Sequence, residues 1–424
     1  MVKYVFPLKV SSNKRHLVDQ NNVPFLLQGD AGWSLIVALT KQEVETYLSK
    51  RSQQGFNTIM VNLIEHKFCR KPPNNAYGEA PFLKSGDFST PNENYFAHAD
   101  WVIDKASEYG IQVLLAPVYL GYRGTDDGWF EEVLSAGREK CLEYGRYLGD
   151  RYKKFDNIIW LMGGDRDPGP ALEHVNLVAF GIREYDKRHL FTAHGAPELS
   201  VAEEFASGGW LDFNVTYTYS IVHRKLLEDY NRIPTKPFIL LESTYEGEHN
   251  ASQVQIRRQA YWSILCGAFG HVFGNRPIWL FDEGWQAALD SPGANSMFHW
   301  GNLFKSRDWH NLIPDQEHKI VVDGLGEFCG LDYLAAACAA DKSTLIAYMP
   351  TARSITVDMS RISGKKAKAW WFNPSTGEAE LAGEYVTDGQ RKISPPKDGD
   401  WVLVIDDASK DLPPPGKPNS HIQS

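Results

Sequence analysis

No stretch of the 424 residues reaches the roughly eighteen consecutive apolar positions that a membrane-crossing helix needs. The opening residues, Met1 to Val10, lack the apolar centre and small-residue cleavage site of a signal peptide. They fit a cytoplasmic start, and equally a periplasmic or secreted protein whose leader was removed. The five cysteines (Cys69, Cys141, Cys266, Cys329, Cys338) are odd in number and show no CxxC spacing. That excludes a cysteine zinc site and reads as buried free thiols. There is no HExxH, and His66, His194 and His271 lack metal-ligand spacing, so no metal is expected. The GxSxG elbow of serine hydrolases, the P-loop and the glycine fingerprint of dinucleotide folds are all missing. No lysine stands inside an apolar run, which argues against Schiff-base chemistry. No cofactor is expected. Positive charge is also short: 44 Lys and Arg face 53 Asp and Glu, for a net charge of −9. Residues 343–424 hold ten of each sign, so the excess lies in the first 342 residues, which argues against nucleic acid as a partner. Nothing in the composition sets an oligomeric state.

What the chain does have is a pair of short apolar runs that each end abruptly on a carboxylate. Residues 157–166 read NIIWLMGGDR and end on Asp165; residues 237–248 read PFILLESTYEGE and break at Glu242. Runs of this length between turn signals read as strands buried on both faces of a parallel sheet. A carboxylate at the C-terminal end of such a strand points into the mouth where parallel-barrel enzymes work. Two of them are the equipment for breaking a glycosidic bond, one carboxyl group donating a proton and the other attacking or activating water.

Similar runs recur at residues 24–30, 56–64, 111–120, 190–195, 211–220 and 271–274, giving eight strand candidates. Helix-period stretches lie between them. Thr40 and Glu43 are spaced as a capping box ahead of Val44, Tyr47, Leu48 and Arg51, and residues 94–110 and 136–155 follow the same period. Eight βα units predict an α/β fold, a (β/α)₈ TIM barrel over residues 1–342 with an N-terminal hairpin turning at Asp19 to Asn22. Asp165 and Glu242 lie 77 positions apart, which at about 30 residues per unit puts them on strands four and seven. From residue 343 to 407 the helices stop and short β-type runs alternate with Gly, Pro and Ser, predicting a small antiparallel β-sandwich domain. Residues 408–424 have too little apolar content to fold and read as a flexible tail.

The other strand ends carry the residues sugar sites use: Asp30 and Trp33, Asn62, Glu65 and His66, Tyr119, His194, Tyr217 and Tyr219, and Trp279. Aromatic faces stack on sugar C–H faces, and amide, hydroxyl and carboxylate groups orient the hydroxyls. Arg123, Arg166 and Arg276 fall on loops at the same end, where a guanidinium would hold an acidic sugar.

The stretches around Asn13 to Trp33, Trp160 to Pro168 (WLMGGDRDP) and Ile239 to Gly247 (ILLESTYEG), followed by a short β domain, resemble the apiosidase-like glycoside hydrolases. The resemblance covers about residues 5–407. Its second module has been labelled collagen-binding, a label these residues do not support. The resemblance implies a retaining polysaccharide side-chain glycosidase without a cofactor, in which Asp165 matches the acid/base and Glu242 the nucleophile. In the wider clan the acid/base is a Glu preceded by Asn; here Gly164 and Asp165 stand in that place. The shorter carboxylate fits a furanose, and one substrate implied is a β-apioside linked to a uronic acid. Another sugar, and a barrel that binds carbohydrate without cleaving it, stay open.

Overall fold

The computed structural model describes residues 3–69 and 72–418. A three-stranded antiparallel flap comes first: β1 (Lys9–Val10), β2 (Leu17–Val18) and β3 (Pro24–Phe25). The expected hairpin turn is there, tied by the Asp19 carboxylate, which accepts from Asn21 and Val23 N–H at 2.9 and 2.8 Å.

Eight parallel strands follow: β4 (Leu27–Ala31), β5 (Thr58–Asn62), β6 (Gln112–Ala116), β7 (Ile158–Gly163), β8 (Phe191–His194), β9 (Asn214–Tyr217), β10 (Phe238–Glu242) and β11 (Gly270–Phe273). Every residue in them is buried, as strands sandwiched between a barrel interior and a helical ring must be. Their order, β8-β7-β6-β5-β4-β11-β10-β9, brings the two ends of the sheet together. Asp212 N–H to Phe191 C=O and Thr192 Oγ1 to Phe213 C=O, both 2.9 Å, link β8 to the approach to β9. This is the TIM barrel that the alternation predicted, with Asp165 just after its fourth strand and Glu242 ending its seventh.

The outer ring comprises α1 (Leu35–Ala38), α2 (Lys41–Gln53), α3 (Glu93–Glu108), α4 (Phe130–Tyr152), α5 (Leu172–Tyr185), α6 (Val201–Glu204), α7 (Val222–Tyr230), α8 (Gln253–Leu265), α9 (Trp285–Ala288) and α10 (Pro292–Lys305). The capping box forms on α2, and the four residues assigned to its inner face are its buried ones. Helix α4 starts six residues before the predicted 136, because Gly137 (φ 76°) joins two helical pieces at a kink. Helices α4 and α5 touch backbone to backbone: a Cβ on Gly145 would stand 2.2 Å from the Val178 carbonyl oxygen.

The C-terminal part is two antiparallel sheets. One has the order β12 (Leu312–Pro314), β14 (Ala335–Ala339), β15 (Thr344–Met349), β20 (Trp401–Asp407), β17 (Lys366–Phe372), β18 (Ala379–Val386). The other is β13 (Val321–Asp323), β16 (Ile355–Asp358), β19 (Gln390–Ile393). The larger sheet takes in strands from Leu312 onward, ahead of the residue 343 at which the composition changes. The period-2 alternation of β15 and β20 serves two cores. Ile346, Tyr348, Val402 and Val404 join the barrel's apolar cluster, while Leu345, Ala347, Met349, Leu403 and Ile405 pack toward the small sheet. Of the segment read as a tail, Pro413 C=O accepts from Arg307 at 2.9 Å and Gly416 N–H reaches Ser306 Oγ at 3.1 Å; residues 419–424 lie outside the described residues. Four of the cysteines are buried as expected, but Cys329 is exposed because it sits on the loop between β13 and β14. Among the described residues no helix is long and apolar enough to cross a membrane.

Two buried bidentate ion pairs fasten the units. Arg257 on α8 grips Asp400 at 2.7 and 2.8 Å, and Arg307 grips Asp406 at 3.0 and 2.7 Å. Tyr348 donates to Asp400 at 2.9 Å while stacking on Tyr261 of α8, ring centroids 4.7 Å apart. Removing one partner of a buried pair leaves the other charge without compensation. Arg257→Ala is therefore expected to lower the unfolding free energy by about 3–5 kcal/mol in a urea titration. Adding Asp400→Leu should recover much of that loss, since no stranded charge then remains.

Candidate active site

Parallel strands deliver their C-terminal ends to one face of a barrel, and there the chain collects its polar and aromatic side chains. Strand β7 reaches that face through Gly163 (φ 83°) and Gly164. A Cβ on Gly163 would lie 2.4 Å from the His194 carbonyl oxygen, and one on Gly164 the same distance from Leu120 N. The glycines thus leave room for neighbouring backbone, and this squeeze sets where Asp165 emerges. Strand β10 ends differently. Its register against β9 slips between Leu240 and Glu242, a bulge that pairs Glu242 with Tyr217. Bulges at barrel rims re-aim a side chain.

Glu242 is almost fully buried, and both its oxygens have donors. His194 Nε2 lies 3.0 Å from Oε2, and the Tyr219 hydroxyl donates to Oε1 at 3.0 Å. The Tyr217 hydroxyl donates to that of Tyr219 at 3.3 Å and also stands within reach of the Asp165 carboxyl. Asp165 is dressed otherwise: its Oδ1 is buried without a partner. Burial, and then the negative charge of Glu242, push its pKa up to about 6, against the pull of His194 and Tyr217. Burial works against charge on His194, but the hydrogen bond and charge of Glu242 prevail and raise its pKa.

An aromatic box surrounds this cluster. Trp33 meets His194 edge-on at 5.5 Å and Tyr119 at 5.3 Å, and His194 meets Tyr217 at 5.0 Å. Tyr119 is buried here, and its hydroxyl pKa is raised by burial and by the charges of Asp165 and Glu242. Trp279 forms an outer lip. Its Nε1 donates to Glu248 at 2.9 Å, and Phe68 bridges it to Tyr119 with centroids 5.5 and 5.2 Å away.

Other residues expected to touch substrate are buried or engaged by the protein itself. Asp30 has no exposed surface; Arg51 Nε at 2.7 Å and the Tyr47 hydroxyl at 2.6 Å hold it beneath the mouth. Asn62 and Glu65 are buried as well, Glu65 accepting from the Cys69 N–H, and burial raises the Glu65 pKa. His66 turns away to Glu132 on α4 at 2.8 Å and packs edge-on to Trp129. Arg166 lies over the Phe130 ring at 3.5 Å, and Arg276 faces Glu248 at 3.6 Å.

Two residues belong to the cluster that the sequence reading passed over. Tyr245 receives the Trp33 Nε1–H at 3.4 Å and lies within hydrogen-bonding reach of Glu242. Its signal was available, since it stands in the loop three positions beyond Glu242. Glu198 had none. Its carboxylate clamps the loop after β9, accepting from Thr218 Oγ1 at 2.8 Å, Tyr219 N–H at 2.9 Å and Ser220 N–H at 3.0 Å, and so positions Tyr219. Among the described residues no His, Cys, Asp and Glu group has the makings of a metal site.

The family model described as "Apiosidase-like, catalytic domain" matches residues 11–311, and the one described as "Putative collagen-binding domain of a collagenase" matches residues 313–406. A solved glycoside hydrolase is 28% identical, with a TM-score of 0.85 over 96% of this chain and 99% of its own. A glycoside hydrolase family 5 structure from Bacteroides vulgatus ATCC 8482 has the same identity and TM-score, covering 96% of each chain. The endo-beta-1,4-mannanase of Thermotoga petrophila shares the fold at 14% identity and a TM-score of 0.52, over 90% of this chain and 97% of its own. No curated protein matches the sequence. With its barrel matched over three hundred residues and its whole length superposing on glycoside hydrolases, the chain belongs to the apiosidase-like family and is a glycoside hydrolase.

Proposed function

We propose that the protein releases a sugar from a polysaccharide side chain with retention of configuration, Glu242 acting as nucleophile and Asp165 as acid/base. The observation that supports this division is the unequal dressing of the two carboxyl groups. Glu242 has a donor on each oxygen, which holds it fixed for attack; Asp165 has a bare buried oxygen and a raised pKa, which favours its protonated form. In the first step Glu242 attacks the anomeric carbon while Asp165 passes its proton to the departing glycosidic oxygen. The leaving alcohol departs neutral and the sugar stays as an ester on Glu242. Asp165, now ionised, takes a proton from water, whose oxygen displaces Glu242 and regenerates both carboxyl groups. Trp33, Tyr119 and Trp279 supply the faces against which a sugar ring stacks. For the substrate we take a β-apioside linked to a uronic acid, because the family matches and because a short Asp suits a compact furanose.

Retention is checked by NMR of the first anomer formed, and net inversion would reject the mechanism. Glu242→Ala should abolish turnover of every glycoside, since both steps pass through its ester. Asp165→Ala should still form the ester from aryl glycosides whose leaving group needs no proton, and azide should restore its second step. Equal and complete loss in both variants, insensitive to azide and leaving group, would sink the assignment; sugar binding without any turnover would leave only a binding barrel.

The pH behaviour follows from the same group. Because Asp165 must be protonated in the free enzyme, kcat/KM should fall as pH rises through about 6. Stability carries the matching sign. The folded carboxyl keeps its proton to about 6, against 3.8 for an unperturbed aspartate, so folding is penalised increasingly between those values and constantly above them. Asp165→Asn removes the penalty. It should stabilise the protein by about 1–3 kcal/mol near pH 7.5 and by nothing near pH 3.5, measured by urea denaturation.

A further inference from the structure

Beside Tyr219 is a recess that the chemistry above does not use. It has a volume of about 70 Å³ and lies between Tyr219, Ser243, Thr244 and Arg258 on the barrel side and Gly330 and Leu331 on the other. The first two tie it to the reaction centre, since Tyr219 donates to Glu242 and Ser243 follows Glu242 in the chain. Gly330 and Leu331 belong to the long connection between β13 and β14, so the C-terminal unit contributes one wall.

Arg258 is the unusual member. Its neighbour Arg257 is neutralised by Asp400 at 2.7 Å, and Arg276 at the rim faces Glu248. Arg258 is half-buried, yet among the described residues no carboxylate pairs with it. One nitrogen, Nη1, donates to the Leu331 carbonyl at 3.0 Å, and the guanidinium lies 5.1 Å from the centre of the Trp262 ring. Burial lowers its pKa, as it must for a partly desolvated cation without an anion. Thr244 is held in place by Gln255 Nε2 on its Oγ1 at 3.0 Å and Gln259 Nε2 on its carbonyl at 2.8 Å. The opposite wall is also fixed in advance: Trp262 Nε1 donates to Tyr333 C=O at 3.1 Å, and Arg353 reaches Gly324 and Asp332 carbonyls at 2.6 and 2.8 Å.

A space of about 70 Å³ holds roughly two waters, so it suits a substituent rather than a sugar ring. A planar guanidinium with nitrogens to spare is the natural partner of a carboxylate. We infer that this recess receives the carboxylate of an acidic sugar neighbouring the one released, with Arg258 as its cation and the β13–β14 connection as its wall. The inference rests on the glycosidase reading above and adds to it the residue that selects an acidic substrate.

The test compares a β-apiosyl uronate disaccharide with its carboxyl-reduced, neutral counterpart. The unaltered enzyme should prefer the acidic form by about 10- to 100-fold in kcat/KM, the scale of a charge-assisted pair. In Arg258→Gln that ratio should collapse toward one. Arg258→Lys keeps the charge but not the fork; it should retain part of the preference, and it serves if the Gln variant does not fold. A second arm needs no turnover: galacturonate should raise the melting temperature of the unaltered protein and not of Arg258→Gln, while galactose raises neither. Equal loss on both disaccharides would make Arg258 a clasp for the Leu331 loop and overturn the inference. An unchanged ratio, or no response to galacturonate, would overturn it too. Absence of turnover on every glycoside would instead strike the proposed function and leave the galacturonate response to decide the recess.

Discussion

Two carboxyl groups placed together in a mouth that water enters poorly cannot both be charged without a steep electrostatic cost, and the architecture of this barrel resolves that conflict by unequal hydrogen bonding. Glu242 comes off a bulge facing Tyr217, which sets it against His194 and Tyr219. Asp165 comes off a glycine pair that brings no donor to its Oδ1. Asp165 bears the burial and the repulsion of Glu242, and its pKa rises. Most of the surrounding structure serves this asymmetry. Trp33 packs on His194 and donates to Tyr245; Glu198 holds the loop carrying Tyr219. Beneath them Asp30, Arg51 and Tyr47 form a buried triad between β4 and α2, so the barrel wall under Trp33 is itself held by charge-assisted bonds.

The C-terminal unit is bound to this arrangement through α8, the helix that follows β10. One face of α8 carries Arg257 to Asp400 and stacks Tyr261 on Tyr348; the adjacent Trp262 and Arg258 hold the β13–β14 connection. The strand bearing Glu242 therefore leads directly into the element on which the second unit is mounted. A sheet with one face in the barrel's core and the other in its own has no independent inner layer to lose. That is a physical reason for the two units to melt together.

Much of this was readable from sequence, and the reasons for success and failure differ. Strands buried on both faces leave an unambiguous apolar run, and a carboxylate interrupting one stands out, so the barrel and the positions of Asp165 and Glu242 were legible. The capping box of α2 was legible because its chemistry is local. Depth was not. Asp30 and Trp33 are three positions apart near one strand end, yet one is sealed under the mouth and the other lines it, because Arg51 arrives from a helix twenty residues on. His66 shares its segment with Asn62 and Glu65 but is drawn aside by Glu132, a partner on α4. The strand Ala335 to Ala339 (AAACA) was not legible because it has almost none of the β-branched and aromatic residues that mark strands. Its place in the sheet comes from pairing with β15, a tertiary cause.

The Gly-Asp step in place of Asn-Glu is the point at which sequence and structure are best taken together. Gly164 has the backbone of Leu120 where a side chain would begin, so an amide at this position would displace the loop that follows β6. On the proposed reading no amide stands beside Asp165, and other groups orient the substrate. On that reading these groups are the aromatic residues around Glu242 and Arg258 in the recess that Tyr219 also lines. On this view the contacts fall less on the ring being cleaved and more on what is attached to it.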